Sequence, residues 1–171
     1  MNSRLGKMIM TAFFTALICV CTLAVRIPTV SGYTNLGDCA VLLSAYFMGP
    51  VYGFAAGAAG SALADLLAGY AHYMPGTFVI KGLTALFAAL LFKKARSAKL
   101  PVRLAVSGVP SELFMAAGYF AYKSLILGKP EGALLSVPGN LIQGAVGVVV
   151  SSLLYSFLIK IPEIKNNVWK G

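Results

Sequence analysis

Long apolar runs separated by turn signals occupy most of this chain and restrict its fold more than any other feature. Of its 171 residues, 58% are hydrophobic and 11% are charged, whereas soluble domains carry roughly a quarter charged residues. A membrane-spanning helix needs about 20 apolar residues, so a chain of this length holds about six spans and no sizeable soluble domain. The sequence predicts an all-α membrane protein in which residues 1–171 form a single six-helix transmembrane domain.

Turn residues divide the apolar sequence into six segments. The expected segments are Gly6–Val25, Asp38–Met48, Val51–Gly69, Gly76–Phe92, Val102–Leu127 and Ser136–Ile159. The second segment is short. Fusing it with the third would give one helix on the order of 50 Å long, against a hydrocarbon core of about 30 Å. We therefore expect a tight turn at Gly49 and Pro50.

Positive charge gives the expected orientation, because cytoplasmic loops of membrane proteins collect Lys and Arg. The formal net charge is +9. With six spans and the N-terminus inside, three basic clusters fall on the cytoplasmic side: Arg4 and Lys7; Lys93, Lys94, Arg96, Lys99 and Arg103; and Lys160, Lys165 and Lys170. Both termini are then cytoplasmic. The excess charge is typical of contacts with the lipid bilayer, and no nucleic acid partner is expected.

Aromatic and polar side chains gather in the three loops expected on the outer side, Arg26–Gly37, Ala68–Gly76 and Leu127–Asn140, and at nearby helix ends. The aromatic ones are Tyr33, Tyr70, His72, Tyr73, Phe78, Tyr119 and Tyr122. Tyrosine is common at membrane interfaces as an anchor, and we assign more than half of them to that role. The lone histidine has no second His or nearby Glu at metal-ligand spacing, so no metal site is expected.

Ionisable residues inside membrane spans are rare and usually face the bundle interior. Asp65 and Lys81 either form a structural ion pair or serve a function. Glu112 is either a protonated carboxyl group bonded inside the bundle or a ligand contact.

Three polar residues near the expected outer helix ends are candidates for ligand contacts, and two of them are also suited to capping a helix. Asn140 and Gln143 are three residues apart and share a helical face, as expected of a ligand-facing pair. Asn140 is equally suited to capping a helix. Asp38, at the start of the second segment, either contacts a ligand or caps that helix.

Small residues mark two helix faces. Gly53 and Gly57 form a G-x-x-x-G pattern, which permits close approach of helix backbones within the bundle. Ala12 and Ala16, in "AFFTA", lie one turn apart on the first helix, where they form a notch that could dock another subunit. The chain contains no P-loop, H-E-x-x-H or G-x-S-x-G motif, so neither ATP hydrolysis nor a familiar hydrolase reaction is supported.

Four strings in order resemble the substrate-binding S components of energy-coupling factor (ECF) vitamin transporters, and the resemblance covers nearly the whole chain. They are "AFFTA", "NLGDCAVLLSAYFMGPVYGFAAGAAGSALADLLAGY", "PGTFVIKGL" and "PGNLIQGAVG". The central string is similar to the branch that includes pyridoxine, hydroxymethylpyrimidine and riboflavin-type S components.

This resemblance implies a six-helix bundle in a prokaryotic plasma membrane that captures a small water-soluble vitamin or precursor from outside. Pyridoxine or hydroxymethylpyrimidine is favoured, and riboflavin is the larger alternative. It also implies partners, namely a transmembrane T subunit docked on Ala12 and Ala16 and two ATPase subunits, and no cofactor. The implied substrate-binding residues are Asn35, Asp38, Lys81, Glu112, Tyr119, Asn140 and Gln143.

Two other functions compete with this one. A small intramembrane enzyme could use Asp65, Lys81 or Glu112 for acid–base work, but the paired carboxylates or Ser/His pair that such chemistry normally needs are missing. A stand-alone facilitator would be expected to show two-fold hydropathy symmetry between its halves, and none is evident.

Overall fold

Helices make up most of the chain. The computed structural model describes residues 4–29 and 32–167, so Lys170 lies outside the described residues. The elements are α1 (Arg4–Ala24), β1 (Arg26–Thr29), β2 (Gly32–Asn35), α2 (Gly37–Leu67), α3 (Met74–Lys94), α4 (Leu100–Ala121), a π-helical turn (Tyr122–Ile126), α5 (Pro130–Leu158) and α6 (Pro162–Asn167). In the described part, five of these helices, with α4 taken together with its π-helical turn, are long and apolar enough to cross a membrane. The predicted all-α membrane fold is confirmed.

Helix α2 is a hairpin with two arms, residues 37–48 and 50–67. Its backbone leaves the helical region at Gly49, where φ is +78°, a conformation that glycine adopts without steric cost. A Cβ on Gly53 would lie 3.0 Å from the Cα of Ala45, and one on Gly57 would lie 3.5 Å from the Val41 side chain. In a straight helix, residues eight positions apart are separated by about 12 Å. The arms are therefore antiparallel, and the predicted turn at Gly49 and Pro50 is present.

The first arm of α2 is the centre of the bundle. All residues from 37 to 49 are buried. At about 1.5 Å per residue this arm is about 18 Å long, shorter than the hydrocarbon core of roughly 30 Å. Because other helices enclose it, it contributes no lipid-facing surface, and its polar groups can be satisfied inside the protein.

Glycines on the second arm bring the neighbouring helices close, as the G-x-x-x-G pattern predicts. A Cβ on Gly57 would lie 3.0 Å from the backbone oxygen of Lys81 on α3. A Cβ on Gly60 would lie 2.6 Å from the backbone oxygen of Thr15 on α1. Helix α1 meets the bundle along one stripe, Phe14, Ile18 and Thr22, which are its buried residues.

Aromatic side chains pack around the turn end of the first arm. The ring of Tyr46 lies 4.8 Å from that of Phe92 and 5.6 Å from that of Tyr155. Arg103 stacks 3.6 Å from the Phe92 ring centre and donates a hydrogen bond to the Phe92 backbone oxygen. This cluster joins α2 to α3, α4 and α5 at the end opposite to the polar residues described below.

One expectation about the outer loops was wrong. The expected loop after α1 contains a β-hairpin, in which β1 and β2 pair in antiparallel fashion with Arg26 opposite Asn35. Helix α5 begins at Pro130 rather than Ser136, so most of the expected Leu127–Asn140 loop is helical. Proline is well suited to the first turn of a helix, and a second proline, Pro138, is accommodated inside it, as membrane helices often allow.

Close contact between the α2 arms predicts a sharp cost for added volume at Gly53. We expect Gly53→Val to destabilise the protein by about 1–3 kcal/mol, since the facing Ala45 backbone cannot move aside. Thermal unfolding of the purified chain in detergent measures this. The control is Ala55→Val, an exposed position two residues along the same arm. Equal melting temperatures for the two variants would contradict the hairpin geometry.

Candidate functional site

Asp38 accepts hydrogen bonds from two helices that surround the first arm of α2. It is 1% exposed. Its Oδ1 pairs with the Lys81 ammonium group of α3, and its Oδ2 accepts a hydrogen bond from Nε2 of Gln143 on α5 at 2.7 Å. A buried carboxylate is stable only when it is paired and hydrogen-bonded, and both conditions are met here.

The same network reaches the β-hairpin formed by β1 and β2. Oε1 of Gln143 accepts a hydrogen bond from the backbone N–H of Asn35 at 2.9 Å, and Oδ1 of Asn35 accepts one from the N–H of Gly37 at 2.8 Å. A single chain of bonds thus connects the end of β2 with α5, the first arm and α3. The hairpin is held against the bundle at the point where Asp38 is buried.

A polar cavity lies between this hairpin and the helices. Its lining consists of Thr22, Tyr33, Asn35, Ser61, Asp65, Tyr70, Tyr73, Thr77, Lys81, Tyr119, Lys123, Asn140 and Gln143. The volume that the centre of a water molecule can reach inside it is about 50 Å³. One water needs roughly 10–15 Å³ by this measure. The cavity in this conformation therefore holds a few waters, and a larger ligand requires its walls to move.

Hydroxyl groups and aromatic rings form most of the cavity wall. Tyr33 on β2 donates a hydrogen bond to Oδ1 of Asp65 at 2.7 Å. Burial and the Asp65 carboxylate raise the pKa of the Tyr33 phenol well above its ordinary value, so the phenol remains the donor. The Tyr119 hydroxyl donates to Thr77 at 3.0 Å. The Lys81 ammonium lies 5.4 Å from the Tyr119 ring centre, within the range of a cation–π contact.

Most of the seven site residues predicted from the sequence meet here. Five line the cavity: Asn35, Lys81, Tyr119, Asn140 and Gln143. Asp38 stands behind Lys81 and Gln143 and does not itself form the wall. Nδ2 of Asn140 is buried and has no hydrogen-bond partner among the described residues.

Glu112 does not line this cavity. It is buried near Asp38 and Lys81, with which it interacts electrostatically. Its carboxylate oxygens have no hydrogen-bond partner in the described part of the chain. Glu112 borders instead an apolar groove between α4 and α5, together with residues such as Val109, Leu113 and Val148.

Three of the alternatives left open by the sequence can now be decided. The Asp65–Lys81 pair was wrong, because Lys81 pairs with Asp38 and Asp65 accepts a hydrogen bond from Tyr33. Asp38 does not cap α2, since it lies in the first helical turn and its carboxylate binds Lys81 and Gln143. Asn140 does not cap a helix either, because it lies inside α5.

Several cavity residues were missed by sequence reasoning. Lys123 is the one with a readable signal, because a lysine in the apolar stretch "AYKSLILG" is unusual in a membrane span; it is 7% exposed and lines the cavity. Thr22, Ser61 and Thr77 carry no such signal, since small hydroxyl residues are common in membrane helices. Tyr33, Tyr70 and Tyr73, seen only as interfacial aromatic residues, belong to the cavity wall.

A second surface feature is a groove between α1 and the second arm of α2, which we call the α1 groove. Ala12 and Ala16 are exposed and lie on it, and Ala55 and Ala59 are on the facing arm. The remaining lining residues are Met8, Thr11, Thr15, Cys19, Val20, Tyr52 and Leu63. Small side chains on both helices leave this face open to close helix packing.

Comparisons with known proteins give a family, a relative and a matching fold. Residues 2–160 match the family model for the S component of the ECF-type riboflavin transporter. A Pyrococcus woesei protein, described as an uncharacterised protein in the gap 3′ region, is 32% identical over 145 residues, covering 84% of this chain and 95% of that protein. The solved structure of an S component for biotin from an ECF-type ABC transporter has a similar fold, with a TM-score of 0.66, 19% identity and coverage of 91% and 93% of the two chains.

The Asp38–Lys81 pair predicts strong coupling between two substitutions. Asp38→Asn and Lys81→Met should each destabilise the protein, by on the order of 3–5 kcal/mol for the change that leaves a buried charge without its partner. The double variant should lose less unfolding free energy than the sum of the losses in the two single variants, because neither buried charge is then left without its partner. Equilibrium unfolding in detergent measures the cycle, with Lys99→Met, an exposed lysine, as control. Additive losses, within about 0.5 kcal/mol, would contradict the pairing.

Proposed function

This chain belongs to the family of ECF-type riboflavin transporter S components, and we propose that it captures a neutral heteroaromatic vitamin in the cavity beneath the β-hairpin. Members of this family are vitamin-binding subunits of membrane transporters and are not enzymes. The intramembrane enzyme that uses Asp65, Lys81 or Glu112 is therefore excluded.

The observation that carries the proposal is a cavity wall of buried and half-buried hydrogen-bonding groups and aromatic rings. Binding sites for small molecules combine apolar or aromatic walls with a few polar groups that fix orientation. Here Tyr70, Tyr73 and Tyr119 supply ring surfaces, while Asn140 and Gln143 supply amides. The unpartnered Nδ2 of Asn140 would gain a bond from a ligand acceptor.

Charge balance favours a ligand without net charge. Lys81 is neutralised by its pair with Asp38. The other ionisable residues in the lining, apart from the tyrosines, are Asp65 and Lys123, which have opposite charges. A neutral ring with hydrogen-bonding edges complements such a site better than a ligand carrying an unbalanced charge.

Riboflavin is the first ligand to test, because the matching family is described by it. Pyridoxine and hydroxymethylpyrimidine are the second, because they are smaller and the cavity has little free volume. In either case we assign ligand contacts to Asn35, Lys81, Tyr119, Asn140 and Gln143. Asp38 acts as a positioning residue that holds Lys81 and Gln143. Glu112 lies outside the cavity lining and interacts electrostatically with Asp38 and Lys81.

The ligand is identified by native mass spectrometry of the purified chain and by titration with riboflavin, pyridoxine, hydroxymethylpyrimidine and biotin. We expect one of the three neutral compounds to bind and biotin, an anion, to bind weakly or not at all.

Asn140→Ala should weaken binding of that ligand roughly 10-fold or more, the cost of about one hydrogen bond to the ligand. The control is Leu141→Ala, the next residue, which is half-exposed.

Binding of none of these compounds to folded protein would refute the proposed function. Tight binding of biotin would refute the charge argument, and unchanged affinity in Asn140→Ala would remove that residue from the site.

The α1 groove is the proposed docking surface for the transmembrane T subunit, with the ATPase subunits acting from the cytoplasm. Its exposed residues Ala12 and Ala16 face a second small-residue pair, Ala55 and Ala59. In lipid, helices associate through close packing more than through hydrophobic transfer. A helix of the T subunit could therefore lie in this groove with its backbone close to both walls. The proposal includes a prokaryotic plasma membrane and cytoplasmic termini.

Filling the groove should prevent assembly and spare ligand binding. We expect the double change Ala12→Leu, Ala16→Leu to abolish copurification of T and ATPase subunits, because two added isobutyl groups block close helix approach. Ligand affinity of the isolated chain should stay unchanged. Ala117→Leu, at an exposed position on α4, is the matched control. A complex that survives the double change would show that the T subunit docks elsewhere.

A further inference from the structure

Asp65 occupies an unusual position in the cavity wall. It lies near the end of the second arm of α2, is 7% exposed and borders the cavity. Its Oδ1 accepts the hydrogen bond from the Tyr33 hydroxyl at 2.7 Å. Its Oδ2 is buried and has no hydrogen-bond partner among the described residues. A buried carboxylate oxygen in this condition costs free energy until a donor reaches it.

No described residue forms a hydrogen bond of ordinary geometry to Oδ2 in this conformation. The Lys81 ammonium is engaged by Asp38, and it interacts with Asp65 only electrostatically. The Thr77 side chain is close enough to the Asp65 carboxylate for a hydrogen-bond interaction, but its hydroxyl does not reach Oδ2 with bonding geometry, and it accepts the hydrogen bond of Tyr119. A ligand donor in the cavity is therefore the group that would complete the coordination of Oδ2.

We infer that Asp65 is a specificity-determining residue that accepts an N–H or O–H group on the ring of the ligand. This inference rests on the proposed function and deepens it. Asn140 presents an unpartnered amide donor to the same cavity. The cavity thus offers an unpartnered acceptor and an unpartnered donor, which a ring that carries a donor beside a carbonyl acceptor, as in the imide of a flavin ring, could satisfy together.

Asp65 also connects the ligand to the hairpin. The Tyr33 that bonds Oδ1 is on β2, and its ring lies 5.2 Å from that of Tyr70. A ligand donor on Oδ2 and the Tyr33 hydroxyl on Oδ1 would therefore share one carboxylate. One oxygen of the carboxylate would bind the ligand and the other binds the Tyr33 hydroxyl of the hairpin. Because different atoms are involved, a substitution at Tyr33 tests the hairpin contact separately from the ligand contact.

The experiment compares riboflavin with 3-methylriboflavin, in which the ring imide N–H is methylated, by titration of the purified full chain. We expect the wild-type protein to bind riboflavin at least about 10-fold more tightly than the methylated compound. In Asp65→Asn the oxygen can still accept from Tyr33, but an NH₂ group replaces the other oxygen and repels the ligand donor. The ratio of the two affinities should then fall close to one.

Tyr33→Phe is the matched control. It removes the bond to the hairpin and leaves the ligand-facing oxygen in place, so it should weaken both compounds by the same factor and keep their ratio. Asp65→Ala serves the same purpose as Asp65→Asn if the latter does not fold. If the wild-type protein binds pyridoxine instead of riboflavin, the two compounds compared are pyridoxine and its 3-O-methyl ether, which lacks the ring O–H donor.

The outcomes separate this inference from the proposed function. A wild-type protein that binds none of the panel compounds overturns both. A wild-type protein that binds both members of the pair equally well overturns the role of Asp65 alone. The same holds if Asp65→Asn keeps the wild-type ratio.

Discussion

The structure depends on the burial of one carboxylate. Asp38 lies in the first turn of the first arm of α2, which has no exposed face and where an isolated charge would be prohibitively costly. The two groups that stabilise it come from different helices, Lys81 from α3 and Gln143 from α5. Satisfying Asp38 therefore sets the relative positions of three helices and, through Asn35, of the β-hairpin. The cavity is the space that this arrangement leaves on the hairpin side.

The two ends of the first arm differ in chemistry. Around Asp38 the contacts are hydrogen bonds and an ion pair, which are directional and specify geometry. Around Tyr46 they are ring contacts and the stacking of Arg103 on Phe92, which fill volume. A binding protein benefits from this division. The packed end keeps the helices together, while the polar end can exchange internal hydrogen bonds for bonds to a ligand at little net cost.

Sequence reasoning predicted the fold class and the turn at Gly49 and Pro50, because hydropathy and turn chemistry are local signals. The family resemblance added five of the thirteen residues that line the cavity. Sequence reasoning did not predict which carboxylate pairs with Lys81. Asp38 and Asp65 were both near enough in principle, and the choice depends on how the arms of α2 are rotated about each other. It also started the last segment too late, at Ser136 instead of Pro130, because the stretch Gly128–Gly132 has the composition of a loop although Pro130 is well suited to the first turn of a helix.

The central arm also has a consequence for how the chain enters the membrane. A stretch too short to cross the bilayer, with a carboxylate in its first turn, is a poor substrate for insertion on its own. Its partner arm follows directly, so the two are expected to enter as one unit. The counter-ion of Asp38 lies 43 residues further along the chain and the amide partner 105 residues further. The ribosome thus synthesises the charge well before the groups that neutralise it, and the finished core can form only after α5 has been made.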